Sequence, residues 1–161
     1  MVLLPKPRDF IEDAAPSDAS GLAEIHERSF SRPWSTDELS TLLADPPTTQ
    51  GLLVRSSTVR SKRIAGFILI RSAGGEAEIL TLAVNPGDRR RGLGRMLVEE
   101  GARRAYRDRA ESMFLEVDES NQSAVSLYQS LGFEPVGQRS SYYERSGANP
   151  GRALVMRLRL R

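Results

Sequence analysis

Four features between Ile79 and Phe133 combine residue types that can hold an anion and move a proton. Arg89-Arg90-Arg91-Gly92-Leu93-Gly94 is a basic glycine turn between an apolar run and a long helical pattern. Such a turn directs backbone N–H groups and a helix N-terminus at a phosphate. Glu116 is a lone carboxylate in an apolar run, and Asn121 and Tyr128 follow it on the next predicted helix. A phosphate-binding turn beside a possible base and a possible acid indicates group transfer from a phosphate-bearing cofactor.

Apolar periodicity predicts the elements that must position these residues. The expected strands are Phe10–Asp13, Gly51–Arg55, Ile64–Arg71, a strand ending at Val84, Met113–Val117, Phe133–Tyr143 and Ala153–Leu160. The expected helices run through Ile25 to Phe30, from Ser35 or Thr36 to Ala44, from Gly92 to about Arg109, and through Asn121 and Tyr128. The order β-α-α-β-β-β-α-β-α-β-β predicts an α/β (α+β) fold, a mixed sheet with helices packed against it.

Size and composition exclude several classes of protein. A chain of 161 residues predicts one domain, residues 1–161. Its net charge of +2 does not indicate a direct nucleic-acid partner. Without cysteine and with His26 as the one histidine, it can build neither a thiolate zinc site nor a multi-histidine metal site. His26 is most simply a surface or helix-packing residue.

The N-terminus and the hydropathy pattern indicate where the protein works. Pro5 and Pro7 interrupt the N-terminal segment, which does not resemble a signal peptide. No stretch reaches the length of a transmembrane helix. We therefore expect a cytoplasmic protein with no membrane partner and no metal.

Three kinds of phosphate site compete for the glycine turn. A P-loop needs Lys and Ser or Thr after its second glycine, but Leu93 and Gly94 follow Gly92. A dinucleotide-binding fingerprint needs a third glycine where Leu97 stands. The pattern that is left is R-x-x-G-x-G, whose glycines let the backbone approach a pyrophosphate closely. Taken alone, the motif is also compatible with an ordinary basic turn that caps a helix.

The run from Leu82 to Arg95 resembles motif A of the GCN5-related N-acetyltransferases (GNAT), and the run from Asn121 to Phe133 resembles their motif B. The resemblance implies a GNAT fold, a mixed, mostly antiparallel twisted sheet of six to seven strands with about four helices on both faces. It also implies that the donor is acetyl-coenzyme A, whose pantetheine arm pairs with strand backbone and whose pyrophosphate binds the turn. The implied cofactor-binding residues are Leu82, Ala83, Val84, Arg89, Arg90, Arg91, Gly92, Leu93, Gly94, Arg95 and Asn121.

Each of the three downstream polar residues has a structural alternative. An α-amine with a pKa of about 7.7–8.0 is mostly protonated at pH 7, and Glu116 is the candidate base, acting directly or through water. Alternatively, Glu116 points from its strand to solvent. Tyr128 lies on the apolar stripe of its helix, so it is either a core aromatic or the acid for the departing thiolate. Asn121 is either a helix N-cap or a cofactor contact.

Three segments together resemble the bacterial ribosomal-protein-alanine N-acetyltransferases: Leu115-Glu116-Val117, Asn121, and Leu127-Tyr128-x-x-Leu131-Gly132-Phe133. That resemblance implies that Glu116 is the general base, Tyr128 the general acid and Asn121 a cofactor contact. It implies that the acceptor is the N-terminal alanine of a small-subunit ribosomal protein, which attacks the donor directly in a ternary complex.

Two further stretches resemble the same family, although Arg32, Asp88 and the polar hairpin from Gly51 to Arg63 depart from it. Phe30 to Ser35 is similar to its aromatic turn, and Arg139-x-x-Tyr142-Tyr143 is similar to its penultimate strand. Both would border the peptide-entry groove, with Trp34, Tyr142 and Tyr143 as substrate-binding residues. Asp88 stands where an aromatic or polar residue is commoner.

The leading hypothesis is therefore an acetyl-coenzyme A-dependent N-acetyltransferase acting on a protein N-terminus. Within the same chemistry, the acceptor is alternatively a small-molecule amine or a lysine side chain. A different class is a non-catalytic acyl-coenzyme A sensor, and a third is a plain RNA-binding module, against which the low net charge argues.

Overall fold

The computed structural model describes residues 5–45, 48–140 and 151–161. Among these residues the strands are β1 (Arg8–Asp13), β2 (Thr49–Ser57), β3 (Lys62–Ala73), β4 (Glu76–Val84), β5 (Ser112–Asp118), β6 (Glu134–Ser140) and β7 (Arg152–Arg159). The helices are α1 (Ala19–Ser29), α2 (Thr36–Leu43), α3 (Leu93–Arg107) and α4 (Gln122–Ser130). The predicted order of elements is confirmed. Several strands, β2 and β3 above all, extend further than the apolar pattern predicted.

The strands form a seven-stranded sheet in the order β1-β2-β3-β4-β5-β7-β6. The pairs β1–β2, β2–β3, β5–β7 and β6–β7 are antiparallel. The pair β4–β5 is parallel, with a register that runs from Glu76↔Ser112 to Ile79↔Leu115. A mixed, mostly antiparallel sheet was the prediction, and it is confirmed.

The chain divides into two compact units, and three of its elements contribute residues to both. The first unit consists of Met1–Arg71 and Leu80–Gly101, and the second of Ser72–Ile79 and Ala102–Arg161. The division falls within β3, within β4 and within α3.

The core of the first unit forms where the apolar sides of α1 and α2 meet the strands. Phe67 of β3 is its largest fully buried side chain. On α1 the buried positions recur every three or four residues, as expected for a helix with one covered face. The buried members of this core are Ala19, Leu22, Ile25, Leu39, Leu43, Leu53, Phe67, Leu69 and Ala83.

Capping determines where α2 begins. The hydroxyl of Ser35 accepts a hydrogen bond from the Glu38 N–H (3.1 Å), and the Glu38 carboxylate accepts one from the Ser35 N–H (2.7 Å). This reciprocal capping box satisfies two N–H groups that a helix start otherwise leaves unpaired. It confirms the predicted start of this helix at Ser35 or Thr36.

His26 is a buried packing residue of α1, one of the two roles expected for it. Its Nδ1 accepts a hydrogen bond from the Trp34 N–H (3.0 Å), so the ring proton lies on Nε2, which contacts the Thr81 hydroxyl (3.2 Å). The imidazole also stacks on the Trp34 ring at 5.0 Å between centroids. Burial lowers the pKa of His26 below its ordinary value of 6.5, although the nearby Glu38 carboxylate raises it. A neutral ring is the form that can accept the Trp34 bond.

In the second unit, β5 alternates between a covered and an uncovered side. Met113, Leu115 and Val117 are buried, whereas Phe114 is half-buried and Glu116 is exposed. This alternation is typical of a strand with one face against the core.

Along β7, Met156 is buried, whereas Leu154, Leu158 and Arg157 are half-buried. The neighbouring strand β6 is exposed along its whole length.

Two searches of the described ranges bear on function. No helix there is both long enough and apolar enough to span a membrane. No cluster of three or more potential metal-ligating side chains was found in the same ranges.

The first prediction concerns His26 and stability. Because His26 is the one histidine of the chain, the free energy of unfolding should fall as pH drops from 7.5 to 5.5. The unfolded chain takes up a proton near the ordinary pKa of 6.5, whereas the folded chain resists protonation. The slope is at most about 1.4 kcal/mol per pH unit for one group.

Urea unfolding followed by Trp34 fluorescence measures this dependence. The variant His26→Asn keeps an acceptor close to the Nδ1 position but does not titrate, so its stability should change less over this pH range. Identical pH slopes for the two proteins would contradict the assignment.

Candidate functional site

The glycine turn is built from backbone conformations that favour anion binding. A 3₁₀ turn at Pro86–Asp88 follows β4, and α3 begins at Leu93. Between them, Arg90 and Gly92 have positive φ values of 63° and 75°. A Cβ on Gly92 would meet nothing within 4 Å, so the backbone conformation, not space, requires glycine there. The Gly92 carbonyl accepts from the Met96 N–H (3.1 Å), and the first-turn N–H groups have no intrahelical acceptor.

A buried carboxylate lies immediately before this turn. Asp88 is 1% exposed, and both of its oxygens accept hydrogen bonds from the Arg63 guanidinium, one of them from Nη2 at 2.6 Å. Arg91 donates to the same carboxylate (2.6 Å) and to both oxygens of Asp9 (2.8 and 2.7 Å). The hydrogen bonds from Arg63 and the charges of both guanidinium groups hold the pKa of Asp88 below its ordinary value.

These ion pairs divide the arginines of the turn into two groups. The side chain of Arg91 is engaged by two carboxylates, and Arg95 lies 3.6 Å from the Glu99 carboxylate. Arg89 and Arg90 are exposed, and within the described ranges no carboxylate pairs with either of them. Those two side chains are therefore placed to add positive charge for an anion.

The three strand residues predicted to bind the donor precede the turn in the same unit. Ala83 is buried, and Leu82 and Val84 are half-buried. A Cβ on Gly66 would lie 2.9 Å from the Ala83 carbonyl oxygen, so a glycine in β3 is needed for close approach to β4. The parallel register of β4 ends at Ile79, before these three residues.

The side chain of Glu116 points from its strand towards solvent, as one of the two interpretations of the sequence expected. Its side chain is 42% exposed and its Oε1 lies 2.9 Å from Nη1 of Arg139, which is itself 71% exposed. An exposed ion pair of this kind contributes little to stability, roughly 0–1 kcal/mol, and opens readily. The carboxylate is thus accessible to a ligand that can displace Arg139.

Tyr128 is a core aromatic residue, and its surroundings also set the protonation state of its phenol. The residue is 7% exposed, and its ring meets that of Phe133 edge to face at 5.6 Å. Burial raises the pKa of its phenol to about 12, since the charged form loses its hydration. The phenol therefore keeps its proton at neutral pH, as a proton donor must.

The end of α4 explains the glycine and the phenylalanine that follow Tyr128. Gly132 has a φ of 96°, and its N–H donates to the Gln129 carbonyl (3.0 Å), while the Phe133 N–H donates to the Tyr128 carbonyl (3.0 Å). This is a Schellman motif, in which a left-handed glycine ends the helix. It holds Phe133 against the Tyr128 ring.

Asn121 is the N-cap of α4. Its Oδ1 accepts a hydrogen bond from the Ala124 N–H (3.2 Å). The loop before it is held by Asp118, whose carboxylate accepts from the N–H (2.9 Å) and the hydroxyl (2.7 Å) of Ser120. The capping alternative for Asn121 is therefore present in the structure, and its side-chain amide nitrogen is left for other partners.

Trp34 is half-buried and lies between two grooves of the first unit. One groove, of about 410 Å³, is lined by Trp34, Asp37, Glu38, Thr41 and Leu42. The other, of about 450 Å³, is lined by Ser20, Ala23, Glu24, Glu27, Pro33, Trp34, Ser35 and Thr36. The remaining two residues predicted to bind substrate, Tyr142 and Tyr143, lie outside the described residues.

The main contacts that sequence reasoning missed join residues far apart in the chain. Arg63 and Asp88 are 25 residues apart, and Asp9 and Arg91 are 82 apart. Asp88 departs from the expected pattern, but no local signal identifies Arg63 as its partner. The ion pair between Glu116 and Arg139 was missed for the same reason.

Comparison with known proteins decides between the classes of function that the site allows. A sequence model of the acetyltransferase (GNAT) family matches residues 19–133, which is more than half of the chain. The chain belongs to the GNAT family. This confirms the predicted family, and membership makes the protein an acetyltransferase.

Among sequence relatives, this GNAT protein is similar to enzymes named for one reaction. It is 30% identical over 139 residues to the putative [ribosomal protein bS18]-alanine N-acetyltransferase of Bacillus subtilis, a match covering 86% of this chain and 87% of that protein. It is 36% identical over 96 residues to the [ribosomal protein bS18]-alanine N-acetyltransferase of Salmonella typhimurium, covering 60% of this chain and 64% of that protein.

Solved structures give the same picture of the fold. The ribosomal-protein-S18-alanine N-acetyltransferase of Escherichia coli superposes with a TM-score of 0.83 at 25% identity, covering 95% of this chain and 94% of that one. NAA60 of Arabidopsis thaliana, solved in complex with acetyl-CoA, superposes with a TM-score of 0.80 at 16% identity, covering 94% and 98%. The second likeness shows the fold alone.

The second prediction separates the two roles of Asn121. Asn121→Ala should lower the free energy of unfolding by about 1 kcal/mol through loss of the N-cap, whereas Asn121→Ser keeps a capping oxygen and should cost much less. If the amide also contacts the donor, both variants should bind coenzyme A more weakly.

Denaturant unfolding and calorimetric titration with coenzyme A measure the two effects. An alanine variant as stable as the unaltered protein would contradict the cap. Full coenzyme A affinity in the serine variant would contradict the cofactor contact.

Proposed function

We propose that this protein transfers the acetyl group of acetyl-coenzyme A to the α-amine of a protein N-terminus, by direct attack of the amine in a ternary complex. The acceptor is the N-terminal alanine of ribosomal protein bS18, the substrate in the names of the relatives described above. The observation that carries the proposal is that one unit holds both an exposed carboxylate, that of Glu116, and a buried phenol, that of Tyr128. These groups have the properties of a base and of an acid.

Acetyl-coenzyme A supplies an acyl thioester and a pyrophosphate by which it can be held. The N–H groups of the glycine turn and the first turn of α3 suit the pyrophosphate. The exposed guanidinium groups of Arg89 and Arg90 add charge, while Arg91 contributes through its backbone. The pantetheine arm, an extended chain with amide groups, pairs with the backbone of Leu82, Ala83 and Val84, which follow the part of β4 that pairs with β5. The family resemblance assigns a further donor contact to the amide of Asn121.

Glu116 prepares the acceptor. An α-amine has a pKa of about 7.7–8.0 and is mostly protonated at pH 7, so it must lose a proton before it can form the new N–C bond. The ammonium group can replace the Arg139 guanidinium on the Glu116 carboxylate, because both are cations and the existing pair is exposed. Glu116 then takes the proton, directly or through one water molecule.

Tyr128 completes the transfer. Attack forms the N–C bond and leaves the nitrogen with one proton more than the amide needs, and the C–S bond breaks as the sulfur takes the phenol proton. The surplus nitrogen proton returns to the Tyr128 oxygen, directly or through water, so the products are a neutral amide and a neutral thiol. The pKa of about 12 lies roughly 3.5 units above that of a free thiol, about 8.5, which makes full transfer to a thiolate uphill by on the order of 5 kcal/mol before the donor binds. The transfer is therefore completed only when another proton reaches the phenol oxygen.

Trp34 supports an acceptor site in the first unit. The two grooves beside it carry the carboxylates of Glu24, Glu27, Asp37 and Glu38. Trp34 therefore stands as the aromatic contact of the acceptor, with Tyr142 and Tyr143 proposed as further contacts. Organisation of residues 1–161 as one domain and location in the cytoplasm stay predictions.

The third prediction tests the acid and the base. Glu116→Gln and Tyr128→Phe should each lower kcat by about a hundredfold or more, because positioned bases and acids contribute roughly 10²–10⁴-fold. Both should bind coenzyme A as the unaltered protein does. Thiol release measured with an alanine-starting peptide gives kcat, and calorimetry gives the affinity.

Arg139→Gln is the matched control, since it removes the partner of Glu116 and leaves the carboxylate. It should keep kcat within a few-fold, because an exposed pair contributes only roughly 0–1 kcal/mol. Undiminished turnover in both Glu116→Gln and Tyr128→Phe would remove the roles assigned to them.

The fourth prediction concerns the acceptor. Incubation with acetyl-coenzyme A and the N-terminal peptide of bS18 should add one acetyl group to the alanine α-amine, located by tandem mass spectrometry. A peptide with a blocked N-terminus and free lysines should stay unmodified. Acetylation of the lysine peptide alone would favour a lysine acetyltransferase, and coenzyme A binding without thiol release with any amine would favour a non-catalytic sensor.

A further inference from the structure

We propose that Arg63 and Asp88, together with the side chain of Arg91, are positioning residues that hold the glycine turn in the shape that binds the donor pyrophosphate. This inference rests on the proposed function, because it concerns the donor site of that reaction. None of these side chains needs to touch the donor. Their effect passes through the backbone of the turn.

Asp9, Ser56 and Arg63 form a row across three neighbouring strands. The register pairs Asp9 of β1 with Ser56 of β2, and Ser56 with Arg63 of β3. Directly opposed residues of antiparallel strands project from the same face of a sheet. Asp9 and Arg63 therefore flank Ser56, which is buried and whose hydroxyl has no hydrogen-bond partner among the described residues.

Ion pairs attach the glycine turn to this row. Arg63 binds the Asp88 carboxylate, and Asp9 binds the Arg91 guanidinium, which also binds Asp88. Asp88 and Arg91, the two residues attached to the row, thus lie on either side of Arg90 in the chain. Arg90 has a positive φ of 63°, a conformation that a residue other than glycine keeps only when its surroundings hold it. The attachments hold the backbone at this point.

The charges of the four side chains in these ion pairs cancel. Asp9, Asp88, Arg63 and Arg91 form a group of two carboxylates and two guanidinium groups, so it offers no net charge to an anion. Asp88 is the one carboxylate buried among the described residues, and a buried charge is kept only when it is paired. The group therefore contributes to donor binding by fixing the turn, while Arg89 and Arg90 supply the charge.

The experiment compares two donors. Acetyl-coenzyme A carries the pyrophosphate, whereas acetyl-pantetheine lacks it and cannot use the turn. Arg63→Gln and Asp88→Asn should each weaken coenzyme A binding by about tenfold, the effect of losing one charge-assisted contact. Both should leave kcat/KM for acetyl-pantetheine unchanged, so the preference for the phosphate-bearing donor falls by the same factor.

A double variant tests whether the two residues act as one unit. Residues that act through a shared interaction are not additive, so Arg63→Gln with Asp88→Asn should bind coenzyme A no more weakly than the weaker single variant. Arg63→Lys, which keeps the charge but loses the two-pronged contact with Asp88, should lie between Arg63→Gln and the unaltered protein.

Arg55→Gln is the matched control. Arg55 lies on β2 and pairs with Glu12 of β1 (2.8 Å). Among the described residues, it makes no contact with the turn. If general loosening of these strands weakened the donor site, this variant would weaken it too. We expect coenzyme A affinity within twofold of the unaltered protein.

Three results would overturn the proposal. They are unchanged coenzyme A binding in Arg63→Gln and Asp88→Asn, equal losses for both donors, and an equal loss in Arg55→Gln. Calorimetry with coenzyme A needs no acceptor, so it gives a result even if no amine is acetylated. If no amine is acetylated, the proposed function fails, but calorimetry still shows whether Arg63 and Asp88 act on coenzyme A binding. Arg63 is partly exposed, so its variants should fold even if Asp88→Asn does not.

Discussion

A carboxylate that loses contact with water must be neutralised by cations and hydrogen-bond donors, and Asp88 meets this requirement with guanidinium groups from two directions. Arg63 reaches it from β3, and Arg91 reaches it from the glycine turn. Because Arg91 is also bound to Asp9, the same contacts link β1, β3 and the turn. In our proposal, these contacts fix the shape of the turn.

In the second unit, residues that resemble a functional motif also have structural roles. Asn121 caps α4, and Gly132 ends the same helix in a left-handed conformation. Between them the helix presents Tyr128 to the core, where burial raises the pKa of its phenol to about 12. The two helix ends thus fix the position of the phenol, and its surroundings keep it protonated. Structural and chemical explanations of this motif therefore support each other.

Much of the fold was predictable because its signals are local. The capping box at Ser35 and Glu38, the N-cap at Asn121 and the glycine turn before α3 each act over a few residues. What the sequence left open depends on neighbours distant in the chain. Glu116 pairs with Arg139 of another strand. His26, expected either at the surface or in helix packing, is buried in contact with Trp34 and Thr81.

The sequence by itself determined the family, the glycine turn and the candidate base and acid, because each is a short pattern of residue types at fixed spacing. The tertiary structure decided the state of those groups. It left Glu116 exposed beside Arg139, buried Tyr128, and turned Arg91 away from an anion by pairing it with Asp9 and Asp88. Charge and burial at a site depend on which distant side chains surround it, and only folding brings those side chains together.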